Sequence, residues 1–554
     1  MHSMSGLRSY LELIKETVPD QFVTVSEQID WKYDITSYVT EMEKRKINPV
    51  VLFENVKDYS IPVLVNLFGT VDRISLSIGD SPKVRSRLGF YREWNRLFDK
   101  DIPPVHVGNG PVKEKKSLHN DVDLYSLPIP RFYEQDGGRY ITAGLFLARN
   151  PEKREDVNLS YVRMHLQGKD RFGVSFHSRG HMWQYLERAK KANEPMEAAV
   201  IIGSHPTLAL ATAAKITNEY HKSGALTGEP VQLVDCETVD LPVPADSEIV
   251  LEGKVMMEEE DEGPFTEYTG YISGRSTRNL FKVTGIIQRK DPLFMAVAPS
   301  NSAEHLLLSG LPKQARIYKG MQDFAHMPVL SDINWPVWAT HFACFISLKE
   351  NAMGSTGLAK QIGTLVLGLD HYVKVVAVLP YVADLSDSAG ILATIAERCD
   401  FVSGSEIDVI GTSYHHLLDP SSVIPGVSSK MIIDASGPVK HSKTSLNVSR
   451  IESTEGVDKA SFLISPALCV ITPSAETDGV DWVFDEPALS GSRMVALVDD
   501  DIDIRDGRQV LWAIATRFQP AENSVLKDGR LLIDARKGDD WTALRATLPF
   551  DKRT

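Results

Sequence analysis

Tyr140 to Ala148 (YITAGLFLA), Leu159 to Leu166 (LSYVRMHL) and Phe172 to Phe176 (FGVSF) follow closely on one another, each a short run rich in apolar, β-branched and aromatic residues. Similar runs recur at Ala198 to Ile202, Glu248 to Glu252, Lys282 to Gln288 and Leu293 to Val297. Strands this short and this frequent favour a barrel over a doubly wound sheet, so residues 121–315 read as one β-rich domain. No GxGxxG follows a strand here, and nothing suggests a Rossmann nucleotide site.

Toward the N-terminus, Leu7, Tyr10, Leu11 and Ile14 fall at i, i+3, i+4 and i+7 behind Ser5, a candidate cap, which predicts an amphipathic helix docked on a core. Apolar strand candidates at Val50 to Phe53 and Ile61 to Leu67 alternate with polar helical stretches, so residues 1–120 are expected to form a small α/β domain. Toward the C-terminus the chain repeats itself. Val376 to Phe401 (VAVLPYVADLSDSAGILATIAERCDF) aligns without gaps on Val495 to Pro520 (VALVDDDIDIRDGRQVLWAIATRFQP), sharing among others Asp384/Asp503, Asp387/Asp506, Leu392/Leu511 and Arg398/Arg517. Both copies read strand, acidic loop, helix, and each is followed by a similar strand, Lys430 to Ala435 and Arg530 to Ala535. Residues 316–554 are therefore expected to be a C-terminal α/β oligomerisation domain holding this duplicated unit. The run Asp499, Asp500, Asp501 could hold a hard cation through oxygen ligands, although a solvated strand end accounts for it more simply.

Within the β-rich domain, Glu262-Gly263-Pro264-Phe265-Thr266-Glu267 sets two carboxylates five residues apart on a segment that Gly and Pro keep from regular helix. Glu258, Glu259, Glu260 and Asp261 lead into it, so ionising every carboxylate at once is costly and at least one pKa is expected to rise. That would leave a carboxyl able to hold and release a proton near neutral pH. A solvated acidic loop before a Pro turn is the plain alternative.

What lies upstream decides between them. Asn158-Leu159-Ser160-Tyr161-Val162-Arg163, then Ser178-Arg179-Gly180-His181, then Glu219 ahead of Ser223 to Gly228 (SGALTG), precede the acid loop. In order and spacing these elements resemble the UbiD family of decarboxylases, from about residue 7 to about residue 436. The resemblance implies a multidomain α+β fold, in which a central split β-barrel that binds a flavin is flanked by N-terminal and C-terminal α/β domains. It also implies reversible non-oxidative decarboxylation of an aromatic, heteroaromatic or α,β-unsaturated acid through a covalent substrate adduct with prenylated FMN. Loss of CO₂ from an sp² carbon leaves an electron pair that side chains are poorly equipped to accept, so a cofactor must carry the step. The family usually carries the C-terminal unit once, at the distance of the first copy, so the second copy, within about 445–554, reads as an added segment.

By the same resemblance Asn158, His181 and Glu219 hold a Mn²⁺ (or Mg²⁺) that bridges to the flavin phosphate. Amide oxygen, imidazole and carboxylate form a mixed hard set that suits an octahedral ion better than zinc. Thr142, Ser160, Tyr161, Val162, Arg163 and Lys360 are implied to line the cofactor, Lys360 near its phosphate, and K⁺ is a further candidate ion. Ser178 and Gly180 open a helix striped by Met182, Tyr185, Leu186 and Ala189, whose free backbone donors suit phosphate oxygens. Glu267 is assigned as the acid that protonates the product carbon, with Arg163 and Glu262 as the hydrogen-bonded pair that orients it. Asn158 and Arg163 would face opposite sides of an ideal strand, so a bulge or bend is expected between them. His305 to Leu308 and Gly310-Leu311-Pro312 resemble the family's segment near the substrate.

Plain bounds agree with an enzyme of several domains. The chain has 554 residues, too many for one core, and its net charge of −14 disfavours nucleic acid or an anionic membrane as main partner. Cys236, Cys344, Cys399 and Cys469 form no CxxC pair and read as reduced structural thiols. No run approaches about 18 apolar residues and no leader pattern opens the chain, so a cytoplasmic location is the default. The family adds the remaining partners: the carboxylic acid and CO₂, a flavin prenyltransferase that supplies the cofactor, and a homodimeric or homohexameric assembly. Two other readings stay open. One is a metal-dependent hydrolase using His181 and Glu219, which lack an HExxH-like arrangement. The other is a noncatalytic assembly protein built on the duplicated unit.

Overall fold

The structure, a computed structural model, describes residues 6–176, 180–325, 329–353, 357–441, 446–475, 477, 479–538, 540–549 and 552. Ser5, Ser178 and Arg179 of the sequence motifs lie outside them. The chain divides into two compact units, one running to Arg316 and taking the chain up again from Leu544, the other Ile317–Ala543.

In the first unit, helix Leu7–Thr17 buries Leu7, Tyr10, Leu11 and Ile14, the stripe its spacing predicts. It accompanies a four-stranded sheet in the order Phe22–Val25, Val50–Phe53, Val63–Val65, Phe294–Met295. The last strand comes from the run expected to belong to the β-rich domain. Phe294 and Met295 are both buried, and a strand apolar on both faces suits a covered parallel position, here beside Val63–Val65.

The centre of this unit is a nine-stranded sheet whose neighbours are all antiparallel. Its order is Tyr140–Ile141, Met164–Gly168, Arg171–Val174, Ser276–Gln288, Ile249–Glu262, Met196–Ile202, Leu145–Asn150, Lys153–Tyr161, with Lys115–Leu118 pairing to Ser276–Gln288. Ile249–Glu262 and Ser276–Gln288 are far longer than the apolar runs inside them. The acidic stretch before Glu262 is a poor strand former, yet after a register shift beyond Val255 it pairs from Glu259↔Asn279 to Glu262↔Ser276. These two strands thus form a hairpin that carries the acid loop at its tip.

The second unit shows that the repeat is larger than the sequence match. Two five-stranded sheets have the same strand order. The first runs Leu330–Asn334, Ala343–Leu348, Val375–Leu379, Val427–Asp434, Ile407–Tyr414. The second runs Val457–Ser461, Leu468–Pro473, Met494–Val498, Arg530–Ala535, Ser524–Lys527. Cys344 opposes Val376 in one and Cys469 opposes Val495 in the other, so even two of the cysteines are repeat equivalents. Helices Ser388–Arg398 and Gly507–Arg517 are capped alike, Asp387 accepting from the Ala389 N–H and Asp506 from the Arg508 N–H. They meet closely, since a Cβ on Gly507 would lie 2.7 Å from that of Ala389. Asp499 and Asp501 each pair at 2.7 Å with the buried guanidinium of Arg517. Among the described residues no helix is long and apolar enough to cross a membrane.

Candidate active site

The acid loop owes its path to Gly263, whose φ of +86° is left-handed and whose Cβ, if present, would meet the Gly274 carbonyl at 2.8 Å. Phe265–Thr266 then pairs with Ile272–Ser273, and the turn between them presents Glu267. Arg163 arrives from the other side. Strand Lys153–Tyr161 ends after Tyr161, Val162 and Arg163 lie outside regular structure, and a new strand begins at Met164, so the chain bends where the parity of Asn158 and Arg163 requires it.

That bend lets one guanidinium hold both carboxylates. Arg163 donates from Nε to Glu262 Oε1 at 2.7 Å and from Nη2 to Oε2 at 2.8 Å, a bidentate pair. Its Nη1 donates to Glu267 Oε1 and to Ser273 Oγ, the latter at 3.2 Å, and its Cζ lies 5.1 Å from the centre of the Phe265 ring. Glu262 is fully buried and Glu267 is 9% exposed. Burial opposes the charge on Arg163, but Glu267 and Glu262 outweigh it and hold the guanidinium pKa above its ordinary value. The preceding acids do not crowd Glu262: Glu260 pairs with Arg171 at 3.2 Å, Asp261 pairs with Arg275, and Glu258 and Glu259 lie exposed.

A second cluster forms at the other end of the Asn158 strand segment. Asn158 and Glu219 are each 2% exposed, and Asn158 Nδ2 donates to Glu219 Oε1 at 2.5 Å while its Oδ1 accepts from Ser160 Oγ at 3.2 Å. Glu219 opens helix Glu219–Thr227, and burial pushes its carboxyl up to about 8. His181 opens helix His181–Ala192, which buries the expected Met182, Tyr185, Leu186 and Ala189. Tyr185 is one turn on from His181 and on the same face, and burial, with Asp156 beside it, raises its hydroxyl pKa. Asp156 stands two residues before Asn158, on the same side of its strand, and was missed in the sequence although that spacing marks it. Among the described residues no cluster of three or more His, Cys, Asp and Glu is assembled. A buried carboxylate beside a buried amide, with no ion pair to a described cationic side chain, nevertheless fits a hard cation.

The remaining predicted residues divide by unit. Tyr161 carries a buried hydroxyl with no protein partner among the described residues, as a ligand-facing phenol would. Thr142 Oγ1 accepts from the Val297 N–H at 3.1 Å, and Val162 is 4% exposed. His305 lies in the first turn of helix Ala303–Ala325, its Nδ1 3.1 Å from the Ser300 carbonyl and its ring 6.4 Å from that of Tyr268 just after Glu267. Lys360 belongs to the second unit, where it pairs with Asp408 at 3.1 Å and donates to the Gly404 carbonyl.

Comparison with known proteins matches these parts in sequence. The 3-octaprenyl-4-hydroxybenzoate carboxy-lyase N-terminal domain model matches residues 18–89, the Rift-related domain model 104–302 and the C-terminal domain model 480–532. The C-terminal match falls on the second copy of the repeat, not on the first. The phenolic acid decarboxylase of Sedimentibacter hydroxybenzoicus is 29% identical over 473 residues, covering 82% of this chain and 96% of that protein. The anhydromevalonate phosphate decarboxylase of Methanothermobacter thermautotrophicus is 28% identical, covering 80% of this chain and all of its own. An evolved dimeric form of the UbiD-class enzyme HmfF from Pelotomaculum thermopropionicum, solved in complex with prFMN, superposes with a TM-score of 0.69 at 27% identity, covering 81% of this chain and 98% of its own. Matched in order by all three of its domain models, the chain belongs to the UbiD family.

Proposed function

We propose that the chain is a carboxy-lyase that reversibly releases CO₂ from an aromatic, heteroaromatic or α,β-unsaturated acid, with prenylated FMN as cofactor and Mn²⁺ as its anchor. The observation that carries this reading is Arg163 held between Glu262 and Glu267 at the tip of the central hairpin. Glu262, wholly buried, fixes the guanidinium in the bidentate plane. Glu267 gives one oxygen, Oε1, to Arg163, and its Oε2 is then the oxygen that holds the proton to be delivered to the product carbon. Phe265, Tyr268 and Tyr271 are buried beside it in the chain, and the Glu267 N–H donates to the Tyr271 carbonyl at 2.8 Å.

Asn158, Glu219 and His181 are the residues that would hold the metal, and Thr142, Ser160, Tyr161, Val162 and Arg163 those that would line the flavin; Lys360 remains the proposed phosphate contact. Prenylated FMN, when bound, supplies the electron sink that no side chain offers. Support for the cofactor comes from the HmfF structure with prFMN, and support for the acid class from a phenolic acid decarboxylase and an anhydromevalonate phosphate decarboxylase, whose names keep that class broad. In this reading residues 121–315 hold the cofactor and 316–554 serve assembly, as a cytoplasmic homodimer or homohexamer.

The test is an absorbance spectrum and intact cofactor mass on protein coexpressed with a flavin prenyltransferase and supplied with Mn²⁺, followed by CO₂ release from a panel of aromatic and unsaturated acids. Bound prenylated FMN and turnover of at least one acid are the expected results. A colourless protein that also fails to take up the reduced cofactor overturns the reading.

A further inference from the structure

The acid loop is gripped from behind by a segment with no assigned role. Asp136 is 1% exposed, and each of its oxygens is used: Oδ1 accepts from the Thr266 N–H and from Thr266 Oγ1, both at 2.9 Å, and Oδ2 from the Tyr133 N–H at 2.9 Å. The next residue continues the grip, the Gly137 N–H donating to the Pro264 carbonyl at 2.7 Å. A side chain on Gly137 would strike the Gly263 carbonyl at 2.4 Å, so glycine is needed for this approach. Tyr140 closes it, donating from its hydroxyl to the Pro264 carbonyl at 3.0 Å and accepting from the Gly263 N–H at 3.1 Å. Thr266, which Asp136 holds, immediately precedes Glu267.

We propose that Asp136 is the positioning residue of the acid loop, its carboxylate locking Thr266 so that Glu267 is delivered to Arg163. The inference rests on the decarboxylase reading for its catalytic consequence, and on geometry alone for the clamp. The carboxylate form is the one that fits, because three donors point at its two oxygens and a proton on either oxygen would face a donor instead of receiving one. Among the described residues no Lys or Arg forms an ion pair with it. Arg131 donates to the backbone carbonyl of Asp136 at 2.8 Å, and the other titratable groups around it are Tyr133 and Glu134 on its own segment, Tyr140 on the adjacent strand, Tyr33, and His165, which packs against Gly137 and stacks on Tyr140 at 4.5 Å. Glu262 and Glu267 belong to the loop it clamps, and Arg163 pairs with both of them from the bend between its two strands. Burial raises its carboxyl to about 6, opposed by the bonds from Tyr133 and Thr266. The sign follows. Below about pH 6 Asp136 takes up a proton in the folded protein, which relieves the folded state of a buried charge but removes an acceptor from the loop. Activity is therefore lost on the acid side while the fold is not.

The experiment compares wild-type holoenzyme with Asp136→Asn and Thr266→Val. In Asp136→Asn, kcat falls about ten- to a hundred-fold near neutral pH with KM and flavin content little changed, as expected for a displaced acid, and the acid limb near pH 6 disappears. Thr266→Val keeps the carboxylate and loses one bond, so it slows turnover less and retains the limb. Hydrogen exchange read separately shows the Thr266 amide about tenfold less protected in Asp136→Asn, a result that does not depend on the reaction. An Asp136→Asn enzyme with an unchanged acid limb and unchanged protection of Thr266 overturns the proposal. Lost protection in a protein that turns over no acid even as wild type refutes the decarboxylase reading and leaves the clamp standing.

Discussion

Replacing Glu262 by Gln separates the roles of the two carboxylates that share Arg163. Glu262 is fully buried and accepts two charge-assisted bonds, at 2.7 and 2.8 Å. A Gln of the same shape keeps one acceptor and turns an amide donor against a guanidinium donor, so one charge-assisted bond is lost, worth about 1.5–3 kcal/mol. If that loss falls wholly on the transition state, the rate drops roughly 10- to 150-fold. On the proposed reading Glu267→Gln removes the transferable proton itself, and a positioned acid is worth about 10²–10⁴. Ser273→Ala gives up a single bond of 3.2 Å to Nη1 and stays within about tenfold of wild type. The assay is kcat and KM for CO₂ release, with flavin content read by absorbance on the same samples. Turnover in the order wild type, Ser273→Ala, Glu262→Gln, Glu267→Gln at constant flavin is the expected outcome. A Glu267→Gln enzyme that decarboxylates at the wild-type rate sinks the acid assignment, and one that outpaces Glu262→Gln inverts the two roles.

Four further outcomes follow from the geometry. On the proposed reading, Asn158→Ala and Glu219→Gln each lower the Mn²⁺ content of purified protein, measured by elemental analysis, by about tenfold or more, since each would delete one of the proposed hard ligands. Lys374→Met destabilises the second unit by about 3–5 kcal/mol, because it strands the buried Asp419 carboxylate, which Lys374 meets at 3.0 Å. Burial opposes the charge of Asp419, but Lys374 and His415 outweigh it and hold its pKa below the usual range, so its stabilisation is present above the ordinary carboxylate pKa and is lost as pH falls through the folded value. Calorimetry at pH 7 shows the lowered transition, and adding Asp419→Asn to Lys374→Met restores part of it. Gly507→Val forces the two repeats apart where a Cβ would already lie 2.7 Å from Ala389, a cost of about 1–3 kcal/mol in the same calorimetric transition. Gly368→Ala, with nothing within 4 Å, leaves that transition unchanged or raised.

What the sequence revealed depended on whether the deciding contacts were local. The Leu7 helix and the His181 helix were legible because their buried stripes repeat every turn, and the strand–loop–helix repeat because Asp387 and Asp506 cap the same helix in each copy. The full extent of the repeat was hidden by unequal outer hairpins: Ile407–Tyr414 is joined to Val427–Asp434 by a long connection, while Ser524–Lys527 turns tightly into Arg530–Ala535. The acidic half of the central hairpin was illegible for a different reason. Glu259 to Glu262 have no strand preference of their own, and they extend because Asn279 to Ser276 pair with them.

The same distinction separates the catalytic candidates from their supports. Glu262 and Glu267 announce themselves through Gly263 and Pro264, which deny the segment a helix and leave its carboxylates without a structural purpose. Asp136 sits before two glycines and reads as an ordinary turn residue, because its partner Thr266 is 130 residues away. Asp156 reads as one acid in a polar strand until Tyr185 and Glu219 are folded beside it. Residues that touch the reacting centre need a particular chemistry at a particular spacing, and that survives in the linear chain. Residues that hold them in place need only one well-aimed oxygen, and the fold alone says where it points.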